Sequence, residues 1–112
     1  MAIKTERVLD GVTTVLLEGI IDAHTYEKLE ETFNRLIEQE NYKLIIDLSN
    51  VDYLSSAGAG VFISVYSIIQ ENDGDFVLVN PGPKVKEVFD LLGLTQLFTI
   101  SRDLNSALNK FT

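Results

Sequence analysis

The chain predicts an α/β fold: one domain on a mixed, mostly parallel sheet of about five strands, with an N-terminal hairpin and about four helices. Three observations predict it. Two segments near the start that read as strands, Ile3 to Leu9 and Val12 to Ile21, are separated only by Asp10-Gly11, the dipeptide of a tight hairpin turn. Beyond them, patterns of helical and strand period alternate to the end of the chain. Finally, Leu44, Ile45 and Ile46 are consecutive and apolar, as in a strand covered on both faces. The length of 112 residues suits one domain over 1–112.

The elements follow in order. Ile3 to Leu9 reads as a first strand, and Val12 to Ile21 returns antiparallel to it. A helix follows, with Asp22 or His24 as its cap. Tyr26, Leu29, Phe33, Leu36 and Ile37 recur at three- and four-residue intervals, one apolar stripe opposite a solvated face of glutamates. Lys43 to Leu48 is the third strand, and a loop is expected from Val51 to Ser56. A second helix spans about Ala57 to Gln70 and ends at Asn72-Asp73-Gly74. Asp75 to Asn80 is the fourth strand. Pro83 suits the first position of a third helix lined by Val85, Val88, Phe89 and Leu92, and Gly93 suits its left-handed end. Leu97 to Ile100 is a short fifth strand, and Ser101 is expected to cap a last helix with Leu104, Ala107, Leu108 and Phe111 on its apolar side. In such a sheet, functional loops lie beyond the carboxyl ends of the parallel strands. The Asp22–Thr25 turn and the Val51–Ser56 loop are therefore the places to look.

Composition removes several function classes. The net charge is −8, from 17 acidic and 9 basic side chains. Such a surface repels phosphate backbones and anionic lipid heads, so neither nucleic acid nor membrane is an expected partner. It suits a basic protein partner, although solubility alone explains it as well. Cysteine is absent, which removes disulfides, thiolate nucleophiles and Cys-ligated zinc. His24 is the only histidine, so no nucleophile–base triad or histidine-rich metal site can be assembled. Asp22, Asp47 and Asp52 fall near strand ends, where acidic residues more often form turns and caps than carboxylate pairs. The chain is not expected to be an enzyme, and no metal or cofactor is expected. The N-terminus has no apolar core of signal-peptide type. The longest apolar stretch, Val61 to Ile69, is broken by Ser64 and Ser67 and is too short to span a bilayer. A cytoplasmic location is expected.

The segment KLIIDLSNVDYLSSAGAGVFISVY, Lys43 to Tyr66, carries the most specific chemistry. It delivers Ser55 and Ser56 to the start of a helix that opens Ala57-Gly58-Ala59-Gly60. Serine is a favoured N-cap because its oxygen accepts from a free N–H of the first turn. A cap is therefore a sufficient reason for one serine there. The glycines add a second signal, since each costs about 1 kcal/mol relative to alanine inside a helix. Two in the first turn imply close approach, either of another molecule or of another part of the domain. Farther along, Gly60, Ser64 and Ser67 form a smooth strip of small residues. Val61, Phe62, Val65, Ile68 and Ile69 share a core face, with Ala59, Ile63 and Tyr66 between the two. That is more apolar surface than one sheet contact needs, and either neighbouring helices or a partner covers the remainder.

DLSNVDYLSSAGAGVFISVY resembles the signature of STAS domains, in particular the anti-sigma factor antagonists of bacterial regulatory switches. GIIDAHT after the second strand is similar to that family's Gly-x-x-Asp turn, and the order of elements matches over essentially the whole chain. The resemblance implies a single STAS-like domain. It also implies a phosphoacceptor serine, which falls at Ser56, with Ser55 as the second choice. The family's loop reads Asp-Ser-Ser/Ala-Gly-x-Gly, so Ser55 stands where an aspartate is usual. This departure removes a negative charge beside the acceptor and adds a hydroxyl. The resemblance places partner contacts at Asp22, His24, Ser55, Ala57, Gly58, Ala59, Gly60 and Ile63. It implies two kinds of partner, an anti-sigma factor with serine kinase activity and a phosphoserine phosphatase. A STAS-type signalling scaffold remains an alternative. So does a nucleotide- or anion-binding module, because Ser-Ser-Ala-Gly-Ala-Gly offers a chain of backbone N–H donors. The latter lacks the Lys-Ser/Thr of a P-loop.

Overall fold

The computed structural model describes residues 1–9 and 11–111. They form five strands in one sheet, with four α-helices and a short 3-10 helix. In chain order these are β1 (Ala2–Leu9), β2 (Val12–Ile21), α1 (Tyr26–Glu38), β3 (Lys43–Leu54), α2 (Ser56–Glu71), β4 (Asp75–Val79), α3 (Pro83–Leu91), the 3-10 turn Leu94–Gln96, β5 (Thr99–Ser101) and α4 (Leu104–Asn109). Asp10 of the expected Asp10-Gly11 turn lies outside the described residues, and Gly11 has φ 75°.

The strands lie side by side in sequence order, β1 antiparallel to β2 and the rest parallel. Each crossover steps one strand in the same direction. With right-handed connections, α1, α2 and α3 therefore fall on one face of the sheet. The two cores agree with this. Leu44 and Ile46 join residues of α1, α2 and α3, including Phe33, Phe62 and Phe89, in the larger core. Ile45 points the other way and packs with Val12, Val77, Val79 and Ala107 of α4. The consecutive apolar run of β3 is thus divided between the two faces, as expected of a central strand. Phe62 stands in the middle of the larger core, with ring centroids 6.1 Å from Phe33, 6.1 Å from Phe76 and 6.4 Å from Phe89.

Several boundaries differ from the sequence expectation, each for a physical reason. β3 does not stop at Leu48 but runs to Leu54, because β2 is long enough to pair with it to the end. The pairing has irregularities between Leu16 and Glu18 and between Gly19 and Ile20, which break the alternation that marks a strand in sequence. The expected Val51–Ser56 loop therefore shrinks to Ser55. The cap of α1 is Thr25, not Asp22 or His24, since those two residues are used in a preceding turn. The cap of α4 is Asp103, whose carboxylate accepts from the Ser106 N–H at 2.8 Å. Ser101 instead ends β5, which begins two residues late because Leu94–Gln96 form the 3-10 turn. Pro83 does open α3, and Gly93 has the left-handed φ of 73°. Among the described residues, no helix is long and apolar enough to cross a membrane.

Candidate functional site

A hydrogen bond beyond the regular ladder ties the carboxyl ends of β2 and β3 together. The Ser55 N–H donates to the Ile21 carbonyl at 2.8 Å. One residue beyond each partner lie Asp22 and Ser56, so the two segments singled out in the sequence are neighbours on this edge.

On the β2 side, the Asp22 carboxylate accepts from the His24 N–H at 2.8 Å. Thr25 Oγ1 accepts from the Asp22 N–H at 2.9 Å and donates to the Ile20 carbonyl at 2.8 Å. These bonds hold a tight turn with Asp22 half-buried and His24 exposed. Asp47 behaves in the same way: its carboxylate accepts from the Ser49 N–H at 2.9 Å and from the Ser49 hydroxyl at 2.6 Å. Asp22 is thus held in a turn, and the Asp47 carboxylate is spent on Ser49 within β3. No cluster of three or more metal-binding side chains occurs among the described residues.

On the β3 side, the two serines have different jobs. Ser55 has extended backbone and is the N-cap of α2; its Oγ accepts from the Gly58 N–H at 3.4 Å. Ser56 is the first residue of the helix, and its side chain is exposed. The inward hydroxyl is therefore spent on capping, and the outward one has no hydrogen bond among the described residues. No acidic residue occupies the first turn of α2, so the helix itself supplies no negative charge at the positive end of its dipole.

The glycines divide similarly. Gly58 is buried, and a Cβ there would stand 2.5 Å from Ile21 Cγ2 and 2.6 Å from Leu54 Cδ1. Close packing within the domain accounts for it. Ala59 is fully buried as well. The expected partner contacts at Gly58 and Ala59 are thus corrected: both residues face the core and offer no outer surface. At Gly60 a built Cβ would meet nothing within 4 Å among the described residues, its chain neighbours and the backbone of its own helix aside. Ile63 is 38% exposed. Ser56, Gly60, Ile63 and Ser67 follow at spacings of four, three and four, so they share the outer stripe of α2. Ala57 is half-buried beside them. The inner stripe is Val61, Phe62, Val65 and Ile69, all buried, while Ile68 and Tyr66 are half-buried at its margins.

Two residues at this edge were not indicated by the sequence. Ile20 and Tyr53 are paired across β2 and β3, and each is 47% exposed. Alternation would have flagged them, but the irregular pairing conceals it.

The sequence model of the STAS domain family matches residues 4–107. The chain belongs to the STAS domain family. A curated relative, the anti-sigma-B factor antagonist of Listeria monocytogenes, is 30% identical over 95 residues, covering 85% of this chain and 82% of its own. The crystal structure of an anti-sigma factor antagonist from Mycobacterium paratuberculosis is 31% identical with a TM-score of 0.85, covering 97% of this chain and 93% of that one. SpoIIAA in its unphosphorylated form has the same fold at 22% identity, with a TM-score of 0.84 over 98% of this chain and 96% of that one.

Proposed function

We propose that this chain is an anti-sigma factor antagonist that works by partner exchange. In the unmodified form it docks on an anti-sigma factor with serine kinase activity, and docking frees the sigma factor. Phosphorylation of Ser56 ends the docking, and a phosphoserine phosphatase restores it.

The observation that carries this reading is the division of labour between the serines: Ser55 caps α2, and Ser56 projects from the same helix end with a hydroxyl that has no partner among the described residues. A kinase can reach Ser56 without dismantling the cap. The docking surface comprises Ser56, Gly60 and Ile63 on the outer stripe of α2, with Ala57 beside them and Asp22 and His24 across the Ser55–Ile21 bond. Relatives and neighbours named as anti-sigma factor antagonists support the assignment.

The physics of the switch is local. A phosphoserine adds about −1.5 to −2 charges at neutral pH. At the first helical position it faces free N–H groups and the dipole, which favour it, so the fold stays intact. Binding is lost at the interface, where charge and bulk meet a surface shaped for a hydroxyl. Such a change at an interface centre costs about 2 kcal/mol or more, roughly thirtyfold in affinity.

The test is incubation with the serine kinases of the same genome and ATP, followed by mapping of the mass gain. One phosphate on Ser56 is expected. Ser56→Ala should bind the anti-sigma factor constitutively, while Ser56→Asp and Ser56→Glu should fold but bind poorly. Acidic variants that bind as tightly as the native chain would sink the charge-release mechanism.

A further inference from the structure

On one side the sheet ends in β1, and no strand lies beyond it among the described residues. An open edge presents a row of backbone N–H and C=O groups that another strand can use, and most chains blunt it. The opposite edge is blunted by brevity, since β5 has 3 residues. β1 has 8, without proline or glycine, and its pairing with β2 is regular up to the irregularity between Arg7 and Leu9. Lys4, Thr5, Glu6 and Arg7 are exposed in succession, so both faces of the strand are open there as well as its edge.

The hydrogen bond between Thr14 and Glu6 tells which backbone groups are free. Thr14 Oγ1 of β2 donates to the Glu6 carbonyl at 3.1 Å, so that carbonyl points inward. Along an antiparallel strand the backbone groups of successive residues turn to opposite sides. Those of Ile3, Thr5 and Arg7 therefore point away from the sheet. Side chains alternate between the faces. Ile3 packs on the larger core and Val8 on the smaller one, which puts Ile3, Thr5 and Arg7 on one face and Ala2, Lys4, Glu6 and Val8 on the other.

We propose that β1 is the interface of a homodimer, pairing antiparallel with β1 of a second copy about a two-fold axis at Thr5 and joining two sheets into one. A second copy is the occupant because the charge pattern is complementary to itself, as an isologous contact requires. About Thr5, Lys4 meets Glu6 of the second copy and Glu6 meets its Lys4. Ile3 meets Arg7 and Ala2 meets Val8, so no like charges are opposed. An axis at Lys4, Glu6 or Arg7 would set each of those residues against its own copy, and an axis at Ile3 overlaps only the start of the strand. Lys4 and Glu6 have inward backbone groups, so they form the pairs without mutual backbone bonds, in which side chains lie closest. Arg7 is drawn away from the edge, its guanidinium donating to Asn41 Oδ1 at 3.4 Å. Exposed ion pairs add little affinity, so these set the register, while the backbone bonds of Ile3, Thr5 and Arg7 hold the copies together. β1 shares no residue with the surface around Ser56, so the dimer does not depend on the proposed switch.

The test is sedimentation velocity over a range of protein concentrations, and a reversible monomer–dimer equilibrium is expected. Thr5→Pro should abolish the dimer by removing the outward N–H at the axis; the ladder with β2 does not use that group, so the fold should persist. Lys4→Glu and Glu6→Lys should each weaken self-association roughly tenfold by opposing like charges across the axis. General repulsion in this acidic chain would instead make Glu6→Lys associate more tightly. An equimolar mixture of the two variants should recover the native affinity as a heterodimer, and so should the chain carrying both substitutions. Ser56→Glu should dimerise as the native chain does, which separates this result from the fate of the phosphorylation switch. A chain that stays monomeric at millimolar concentration, a dimer indifferent to Thr5→Pro, or charge variants that mixing does not rescue would overturn the proposal. So would shifts of the β1 amides that appear only with an anti-sigma factor, which would assign the edge to a strand of another protein.

Discussion

Gly58 is seated against Ile21: a Cβ built on the glycine would stand 2.5 Å from Ile21 Cγ2. Ile21 and Leu54, the second neighbour, are fully buried at the ends of β2 and β3, so neither has free space to move into. Gly58→Ala is therefore expected to destabilise the fold by about 1–3 kcal/mol through overpacking. Gly60→Ala is expected to have the opposite sign. Outside its own helix backbone and chain neighbours, none of the described residues comes within 4 Å of its built Cβ, and exchanging glycine for alanine inside a helix gains about 1 kcal/mol. Urea denaturation of the two variants checks both signs. If Gly58→Ala were as stable as the native chain, the close approach of α2 to the strand ends would not be what selects glycine there.

The serines predict a second contrast. Ser55→Ala removes the cap of α2 and should cost about 1 kcal/mol. Ser56→Ala removes an exposed hydroxyl with no hydrogen bond among the described residues and should change stability by less than about 0.5 kcal/mol. Ser56→Glu places a negative charge at the helix N-terminus and should stabilise by about 0.3–1 kcal/mol at low salt, an increment that added salt removes. Thermal melts at two ionic strengths measure all three. A destabilised Ser56→Glu would show that this helix end does not accommodate an anion.

Much of this edge was legible in the sequence, and the misses have identifiable causes. Leu44, Ile45 and Ile46 gave a central strand because a β-strand sends neighbours to opposite faces and both faces here are covered. The far half of β3 was hidden. Its buried Val51 and Leu54 are separated by the exposed Asp52 and Tyr53, which read as a turn until the irregular pairing with β2 is seen. Caps were hard to assign for a related reason. Asp22 and Ser101 are good capping residues chemically, but one is engaged in its own turn and the other in a strand. Gly58 and Gly60 look alike in sequence because what separates them, the approach of Ile21 and Leu54, comes from the packing of distant segments.

The aromatic cluster yields a third prediction. Phe62 touches Phe33 of α1, Phe76 of β4 and Phe89 of α3, so it joins three elements that are far apart in sequence. Phe62→Ala should cost about 3–5 kcal/mol, because the cavity left among rings on three separate elements cannot readily collapse. Phe62→Leu should recover part of that loss by filling much of the volume. Denaturant midpoints report both. A loss as small as that of a surface substitution would mean that the core closes around the gap.

The last prediction concerns acid. The Ser106 backbone N–H and hydroxyl beside Asp103, with a smaller contribution from Arg102, hold the Asp103 carboxyl below its ordinary value of 3.8. A carboxyl whose folded pKa is depressed releases its proton more readily when folded, so the unfolded chain binds more protons in the titration range. Its stabilising contribution is then fully present above the unfolded value and is lost as the pH falls through the folded one. The structural consequence lies on the second face of the sheet, where α4 brings Ala107 onto Val12, Ile45, Val77 and Val79. Asp103→Asn keeps a side chain able to cap but removes the titration. The native chain should therefore be the more stable of the two at neutral pH. That advantage should hold down to about pH 5 and shrink below it. Paired urea titrations of native and Asp103→Asn across that range give the difference directly. A difference that stayed constant into strong acid would assign the loss to geometry and not to the carboxylate charge.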